Sequence, residues 1–447
     1  MYWIEPEYLY VDGALRTGLG VLVSADDGAG RVVSVGRRGH DHFPVVTLPR
    51  RALLPGFVNT HSHAFQRGLR GWVQHADPGA TDSFWTWREA MYALATRLDP
   101  EAFEAVTALA FAEMVRAGFT TVGEFHYVHH QVDGTPYADP DELALRVAAA
   151  ARRVGIHLVL LRVAYERPGF GQAPNPRQRR FYDRDPDAVL AAVGRLRDHG
   201  IEVGLAPHSV RACSAAWLRA FARAPGVLHM HVDEQPGEIE QCLAEHGRRP
   251  VELLDECGLL GPRFTAVHLT HPDAAELARF HAGEAAVCAC PTTELDLGDG
   301  FLRAWELRAP LSIGTDSHAS IDPFAELRAL EWHSRALTGR RNVLPHEGVD
   351  GLAATLVRIG TAHGAAALGV DAGVIAPGQR ADLVALDLRR MEFAATRLLP
   401  ALVFNGSPAA VADVWVGGRH VVKEGRVPGG EALALEAERA LRRVAAG

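Results

Sequence analysis

Four short stretches put metal-ligating and proton-carrying side chains where apolar runs end. They are Val58-Asn59-Thr60-His61-Ser62-His63, His229-Met230-His231-Val232-Asp233-Glu234, Val267-His268-Leu269-Thr270-His271 and Gly314-Thr315-Asp316-Ser317. Residues two apart on a strand share a face, so the imidazoles of His61 and His63 can approach one cation together. Alone, such a pair is as ordinary as any two strand histidines. Its repetition at four separate run ends is hard to obtain from histidines that merely fill a core. His61, His63 and a histidine of the 229/231 pair would supply neutral nitrogens and Asp316 an anionic oxygen. One position on the ion is then left for a water, whose pKa the metal lowers.

The elements that must position these residues follow from hydrophobic patterning. Eight apolar runs, at 53–58, 120–125, 157–163, 202–206, 227–232, 265–269, 285–290 and 311–314, alternate with helical stretches such as 100–117, 186–199 and 323–337. That alternation predicts an α/β protein with a parallel sheet, and eight units favour closure into a (β/α)8 barrel of TIM type, with its chemistry where the strands end. The two ends of the chain read differently. Residues 2–47, with turn signals at Asp12-Gly13 and Asp27-Gly28, and residues 374–386 and 411–422 have strand patterns, followed by an Ala/Leu/Arg-rich helix at 431–446. We therefore expect an accessory β domain from residues 1–53 and 372–447, and a catalytic barrel from 54–371.

A chain of 447 residues, 48% hydrophobic and 22% charged, can bury a large core. The net charge of -8, with no long basic run, gives no footprint for nucleic acid or an anionic membrane, so a small molecule is the expected partner. Cys213, Cys242, Cys257, Cys288 and Cys290 are odd in number and lack paired spacing, which argues against disulfides or a thiolate zinc site. Met1-Tyr2-Trp3-Ile4-Glu5-Pro6 is no signal sequence, and no run has the apolar length to span a bilayer. A soluble, cytoplasmic protein is the expectation. Arg177-Gln178-Arg179-Arg180 reads as a solvated basic loop that could help steer an anion, and Trp85 and Trp87 read as packing residues.

Taken in order, the stretches Leu54-Pro55-Gly56-Phe57-Val58-Asn59-Thr60-His61-Ser62-His63, His231-x-x-Glu234, His268, Gly314-Thr315-Asp316-Ser317 and Pro377-Gly378-Gln379-Arg380-Ala381-Asp382-Leu383 resemble the amidohydrolase superfamily over nearly the whole chain. The resemblance implies a β-sandwich built from both termini beside the barrel, and metal-assisted hydrolysis at an electrophilic carbon. The spacing to Glu234 in the resembling deaminases selects His231 over His229, and similarly His268 over His271. The implied metal ligands are then His61, His63, His231 and Asp316. Asp316 would also take a proton from water, Glu234 would carry one to the substrate nitrogen, and His268 would hold the developing oxyanion. Some members of the superfamily bridge two metals through a carboxylated lysine, but Lys423 is the only lysine here and lies far along in the C-terminal segment. One divalent ion is expected, zinc first and Fe2+ as the alternative. The resemblance also implies a homodimer.

For the substrate, Ala206-Pro207-His208-Ser209-Val210-Arg211 sets a guanidinium beyond the fourth run, which favours a carboxylate. Further likeness lies in His63-Ala64-Phe65-Gln66-Arg67-Gly68, Phe84-Trp85-Thr86-Trp87-Arg88, Gly123-Glu124-Phe125-His126-Tyr127 and Cys290-Pro291-Thr292-Thr293-Glu294. It implies that Gln66, Arg88, Tyr127, His208 and Arg211 contact a small amidine bearing two carboxylates, which loses ammonia by hydrolysis. The alternatives are a deaminase or chlorohydrolase acting on guanine, another purine or a triazine, for which an uncharged aromatic pocket would speak, and a non-catalytic scaffold, which a missing metal ligand would signal.

Overall fold

The computed structural model describes residues 1–25, 29–75, 79 and 81–446; the turn expected at Asp27-Gly28 lies outside them. The N-terminal strands are β1 (Tyr2–Val11), β2 (Ala14–Arg16), β3 (Gly20–Val23), β4 (Val32–Gly36) and β5 (Val45–Pro55). Eight strands then follow in barrel order: β6 (Phe57–Ser62), β7 (Phe119–His126), β8 (His157–Ala164), β9 (Glu202–Pro207), β10 (Leu228–Val232), β11 (Phe264–His268), β12 (Ala286–Ala289) and β13 (Leu311–Ile313). The last strands are β14 (Leu383–Asp387), β15 (Val411–Val416) and β16 (Arg419–Val422).

Strands β6 to β13 are hydrogen-bonded in chain order and all parallel. They read as nearly unbroken apolar runs because helices cover one face of a parallel barrel and neighbouring strands the other. The helices declare their ends. Pro100–Ala117 begins with Asp99 accepting the Ala102 N–H and stops at Gly118 in the left-handed region, while Pro323–Thr338 begins with Asp322 accepting from Phe324 and Ala325. Among the described residues no helix is long and apolar enough to cross a membrane.

The first apolar run proves to be two elements. β5 ends at Pro55 in the terminal sheet and β6 begins at Phe57 in the barrel. Gly56 is the joint, because any Cβ there would collide with the side chain of Thr120. The terminal strands form a second sheet, ordered β16-β15-β14-β5-β1-β3-β4 with β2 beside β1. It is antiparallel except where β1 runs parallel to β5. Its own core draws on both ends of the chain, from Ile4, Leu9, Val21 and Leu53 to Leu383, Ala385 and Trp415. The final helix, Gly430–Ala446, turns back to the barrel and packs on Pro100–Ala117.

The basic stretch at 177–180 is solvated only in part: Arg177 and Arg179 are exposed, but Gln178 and Arg180 are not. Arg180 is fully buried, donating to the carbonyls of His130 (2.7 Å) and Leu98 (2.8 Å) and to the Tyr137 hydroxyl (3.0 Å). It also donates to Ala95, the last residue of the helix Phe84–Ala95, whose carbonyl has no partner within the helix. A guanidinium fork meets several such acceptors at once, which is why the charge is tolerated inside. Gln178 is buried as well.

The barrel seam is closed by backbone bonds between the end of β6 and the residues after β13. Thr315 and Asp316 donate to the His61 carbonyl at 3.1 and 3.0 Å, and His63 donates to that of Asp316 at 3.0 Å. Asn59 locks the same seam, accepting the Thr315 N–H at 3.0 Å and donating to its hydroxyl at 2.7 Å. Glycine is needed at 314, where a Cβ would stand 2.8 Å from the Cβ and carbonyl oxygen of His61. Gly314→Ala should therefore lower stability by about 1–3 kcal/mol in urea unfolding and weaken metal uptake. An unchanged midpoint would mean the strands have room to part.

Candidate active site

At that seam four side chains converge: His61 from β6, His63 just beyond it, His231 from β10 and Asp316 beyond β13. The Nε2 atoms of His61 and His63 are 3.1 Å apart, and those of His61 and His231 3.2 Å. Asp316 Oδ1 lies 3.3 Å from His61 Nε2 and 3.1 Å from His63 Nε2. Four ligands about 2.1 Å from a tetrahedral Zn2+ would be about 3.4 Å apart. All four side chains are buried.

Hydrogen bonding fixes two of the tautomers. Nδ1–H of His63 donates to the Phe125 carbonyl at 3.0 Å, and Nδ1–H of His231 to the His208 carbonyl at 2.9 Å. Their Nε2 lone pairs are thereby turned to one point. His61 has no protein partner at Nδ1, but burial pushes it down to about 3, so it too is neutral. Burial alone would raise Asp316, yet the two imidazoles beside it hold its carboxyl well below the usual range. Lone pairs this close repel unless a positive charge lies between them. The donor set thus fits a divalent cation, and nitrogen with carboxylate ligands suits zinc or iron.

Beside this cluster stand further titratable groups. His268 has Nε2 3.8 Å from Glu234 Oε1 and 4.0 Å from Asp316 Oδ2, with no hydrogen-bond partner of its own. Its Nδ1 is bound to Glu294 at 3.3 Å. Burial would lower His268, but Glu294, Glu234 and Asp316 overcome it and push the imidazole up to about 10. Glu234 Oε2 accepts from Arg211 Nη2 at 2.9 Å.

All five expected substrate contacts line one cavity that opens on the cluster. Gln66 donates to the Tyr127 hydroxyl at 2.7 Å, and the Arg88 guanidinium lies over the Trp85 ring at 4.5 Å. Trp87 lines the cavity, whereas Trp85 is 41% exposed. Arg211 is less free than expected. Its guanidinium is buried between Glu234 and Glu238, with Nε 3.6 Å from Glu238 Oε1, so much of its charge is already compensated. Of the histidines set aside, His229 donates its Nε2–H to the Ala367 carbonyl (2.8 Å) and His271 its Nε2–H to that of Asp299 (2.6 Å); neither joins the cluster.

An amidohydrolase family model matches residues 52–421. The chain belongs to this family. Among curated amidohydrolase relatives it is 41% identical over 393 residues to formimidoylglutamate deiminase of Pseudomonas aeruginosa, covering 85% of this chain and 86% of that one. It is 29% identical to 8-oxoguanine deaminase of the same organism, over 86% and 85% of the two chains. An amidohydrolase from Brucella melitensis has the same fold, with a TM-score of 0.90 at 34% identity, covering 99% and 100% of the chains. So has an adenosine deaminase from Xanthomonas campestris solved with bound zinc, with a TM-score of 0.83 at 27% identity over 100% and 99%.

Several supporting residues of this amidohydrolase were not singled out from sequence. Glu124 on β7 accepts from Ser62 Oγ (2.5 Å) and from the Ala64 N–H (2.8 Å), holding the turn after His63. A lone carboxylate inside an otherwise apolar run was its signal. Glu294, Glu238, Tyr92 and Tyr165 sit on helices or loops whose polar composition gives no such signal.

Two substitutions test the site. Asp316→Ala should abolish tight zinc binding, read by elemental analysis, while the far-ultraviolet spectrum persists; retained zinc would place the ion elsewhere. Arg211→Met removes the cation shared by two buried glutamates and should cost about 3–5 kcal/mol of stability in denaturant unfolding. A loss of activity at full stability would instead make Arg211 a ligand-binding group alone.

Proposed function

We propose that this amidohydrolase hydrolyses N-formimino-L-glutamate to N-formyl-L-glutamate and ammonia, a step of histidine degradation. What supports the reading is a cavity lined both by His63, His231 and Asp316 of the cation-binding cluster and by Arg88 and Arg211. Such a cavity suits a molecule with an amidine carbon and two carboxylates. The 41% identity to the Pseudomonas aeruginosa deiminase supports it.

His61, His63, His231 and Asp316 would hold one divalent cation, zinc in the first place. When bound, the ion would lower the pKa of water and polarise the amidine. The protein's own groups then divide the proton transfers. Asp316 accepts a proton from the attacking water, His268 offers its Nε2 hydrogen to the oxygen as negative charge develops, and Glu234 delivers a proton to the terminal nitrogen. The water oxygen stays on carbon as the formyl oxygen, the terminal C–N bond breaks, and both water hydrogens leave with nitrogen as ammonia. Arg88, Gln66 and Tyr127 hold the glutamate end, and a fixed position for that end aligns the amidine carbon. Arg211, through the donors that Glu234 and Glu238 leave free, adds a charge-assisted bond to it.

A second reading, deamination of guanine or another ring, draws on the aromatic wall of Phe84, Trp87 and Phe181 and on the likeness to 8-oxoguanine deaminase. Incubation of zinc-loaded protein with N-formimino-L-glutamate and, separately, guanine decides between them. Ammonia with N-formyl-L-glutamate, and guanine untouched, is the expected result. Guanine turnover would favour the second reading, and formamide with glutamate would mean the other C–N bond is cut.

A further inference from the structure

Behind the cavity wall, Gln178 is buried at the end of a single 3-10 turn, Pro176–Gln178. It does not line the cavity, but its Nε2 lies 2.6 Å from the Tyr92 hydroxyl and 2.9 Å from that of Tyr165, and both tyrosines do line it. The amide oxygen faces a neighbour. The Tyr182 hydroxyl accepts the Asn175 backbone N–H at 3.1 Å and donates to Gln178 Oε1 at 3.0 Å, which leaves Nε2 to the other two tyrosines. An amide nitrogen carries two hydrogens and accepts nothing. One is spent on each tyrosine.

Tyr92 and Tyr165 are therefore acceptors towards Gln178 and must turn their own O–H hydrogens away from it. Tyr165 interacts with the Tyr92 hydroxyl, which occupies one hydrogen at most. At least one is left over, and both tyrosines line the cavity together with Arg88 and Arg211. Burial raises both phenols above their ordinary range despite the two arginines, so they stay protonated donors.

We propose that Gln178 is a positioning residue that makes the Tyr92 and Tyr165 pair a hydrogen-bond donor for a carboxylate held near Arg88 and Arg211. The inference rests on the deiminase reading and names a specificity determinant within it. Without Gln178 the phenols can rotate and accept from the arginines, which leaves the anion with one donor fewer.

The test uses zinc-loaded full-length protein and N-formimino-L-glutamate. Wild-type turnover is measured first, and an inert wild type overturns the deiminase reading and this inference with it. Given turnover, Gln178→Met and the Tyr92→Phe/Tyr165→Phe double variant should each raise KM about 10-fold, as expected for a lost bond to a charged group. kcat and zinc content should stay near wild type. Adding Gln178→Met to the double variant should cause no further loss, because Gln178 acts only through those hydroxyls. A wild-type KM in Gln178→Met, a fall confined to kcat or zinc content, or an equal loss in the double-variant background would overturn the proposal. The double variant keeps both rings and Gln178, so a wild-type KM in it overturns the proposal even if Gln178→Met fails to fold.

Discussion

Closure of the barrel and assembly of the cation cluster are the same set of bonds. The carbonyl of His61 accepts from Thr315 and Asp316, and the carbonyl of Asp316 accepts from His63, so three of the four convergent side chains grow from the residues that join the first and last barrel strands. A buried backbone hydrogen bond nets about 1 kcal/mol, while a buried donor left without one costs about 1–3 kcal/mol. The sheet therefore strongly favours closing here. Once it does, the separation of His61, His63 and Asp316 is set by strand spacing rather than by loops. Supporting side chains extend the seam outward: Thr315 meets His318 Nδ1 at 2.9 Å, His318 Nε2 meets Ser62 Oγ at 3.2 Å, and Ser62 donates to Glu124.

Around this rigid seam the electrostatics lean negative. Asp316, Glu234, Glu238, Glu294 and Asp299 are all buried within one neighbourhood, with Arg211 and His268 as the nearby cations. Such a cluster cannot stay fully ionised in a weakly polar interior. Burial pushes Glu238 up to about 7 and, with Glu234 adding to it, Asp299 up to about 9. The surplus of carboxylate favours a divalent cation. It also means that the doubly anionic ligand proposed above would be repelled by this acidic neighbourhood but for Arg88 and a partly compensated Arg211.

What the sequence made legible divides along a physical line. Parallel strands buried on both faces leave continuous apolar runs, and the first polar residues beyond them fall at the barrel mouth, so His61, His63 and Asp316 could be picked out by their run ends alone, whereas the choice of His231 over His229 and of His268 over His271 needed the family resemblance. The joint at Gly56 was hidden because Leu53, Leu54 and Phe57 are apolar on both sides of it, one side serving the terminal sheet and the other the barrel. Arg180 and Gln178 were misread for a deeper reason. Their loop has the composition of a solvated segment, and what buries them is a set of acceptors over 40 residues away in sequence, at Ala95, Leu98 and Tyr92. Composition is local, whereas satisfaction of a buried polar group is not. The compensated charge of Arg211 escaped for the same reason: Glu234 was expected to carry a proton, but nothing in the spacing showed that it faces Arg211.

The remaining feature is strain, and its distribution is informative. Among the described residues, eleven non-glycine residues occupy the left-handed backbone region, and Asp233, His268, Leu269, Asp316 and His318 are five of them. All five stand at or just beyond the ends of barrel strands. His268 is the clearest case: with φ of 74° it is the centre of a three-residue turn in which the Leu269 N–H donates to the Val267 carbonyl at 3.2 Å, a rare and strained conformation. Each such residue costs about 1–3 kcal/mol unless its surroundings hold it. Here they do, because Leu269 N–H also reaches the Val232 carbonyl on the neighbouring strand at 3.0 Å. The sharp turns stop the chain from continuing along the strand direction and swing His268 and Asp316 over the barrel mouth. Strain stored at the strand ends, secured by bonds between strands, is thus what converts a closed barrel into a set of inward-facing reactive side chains.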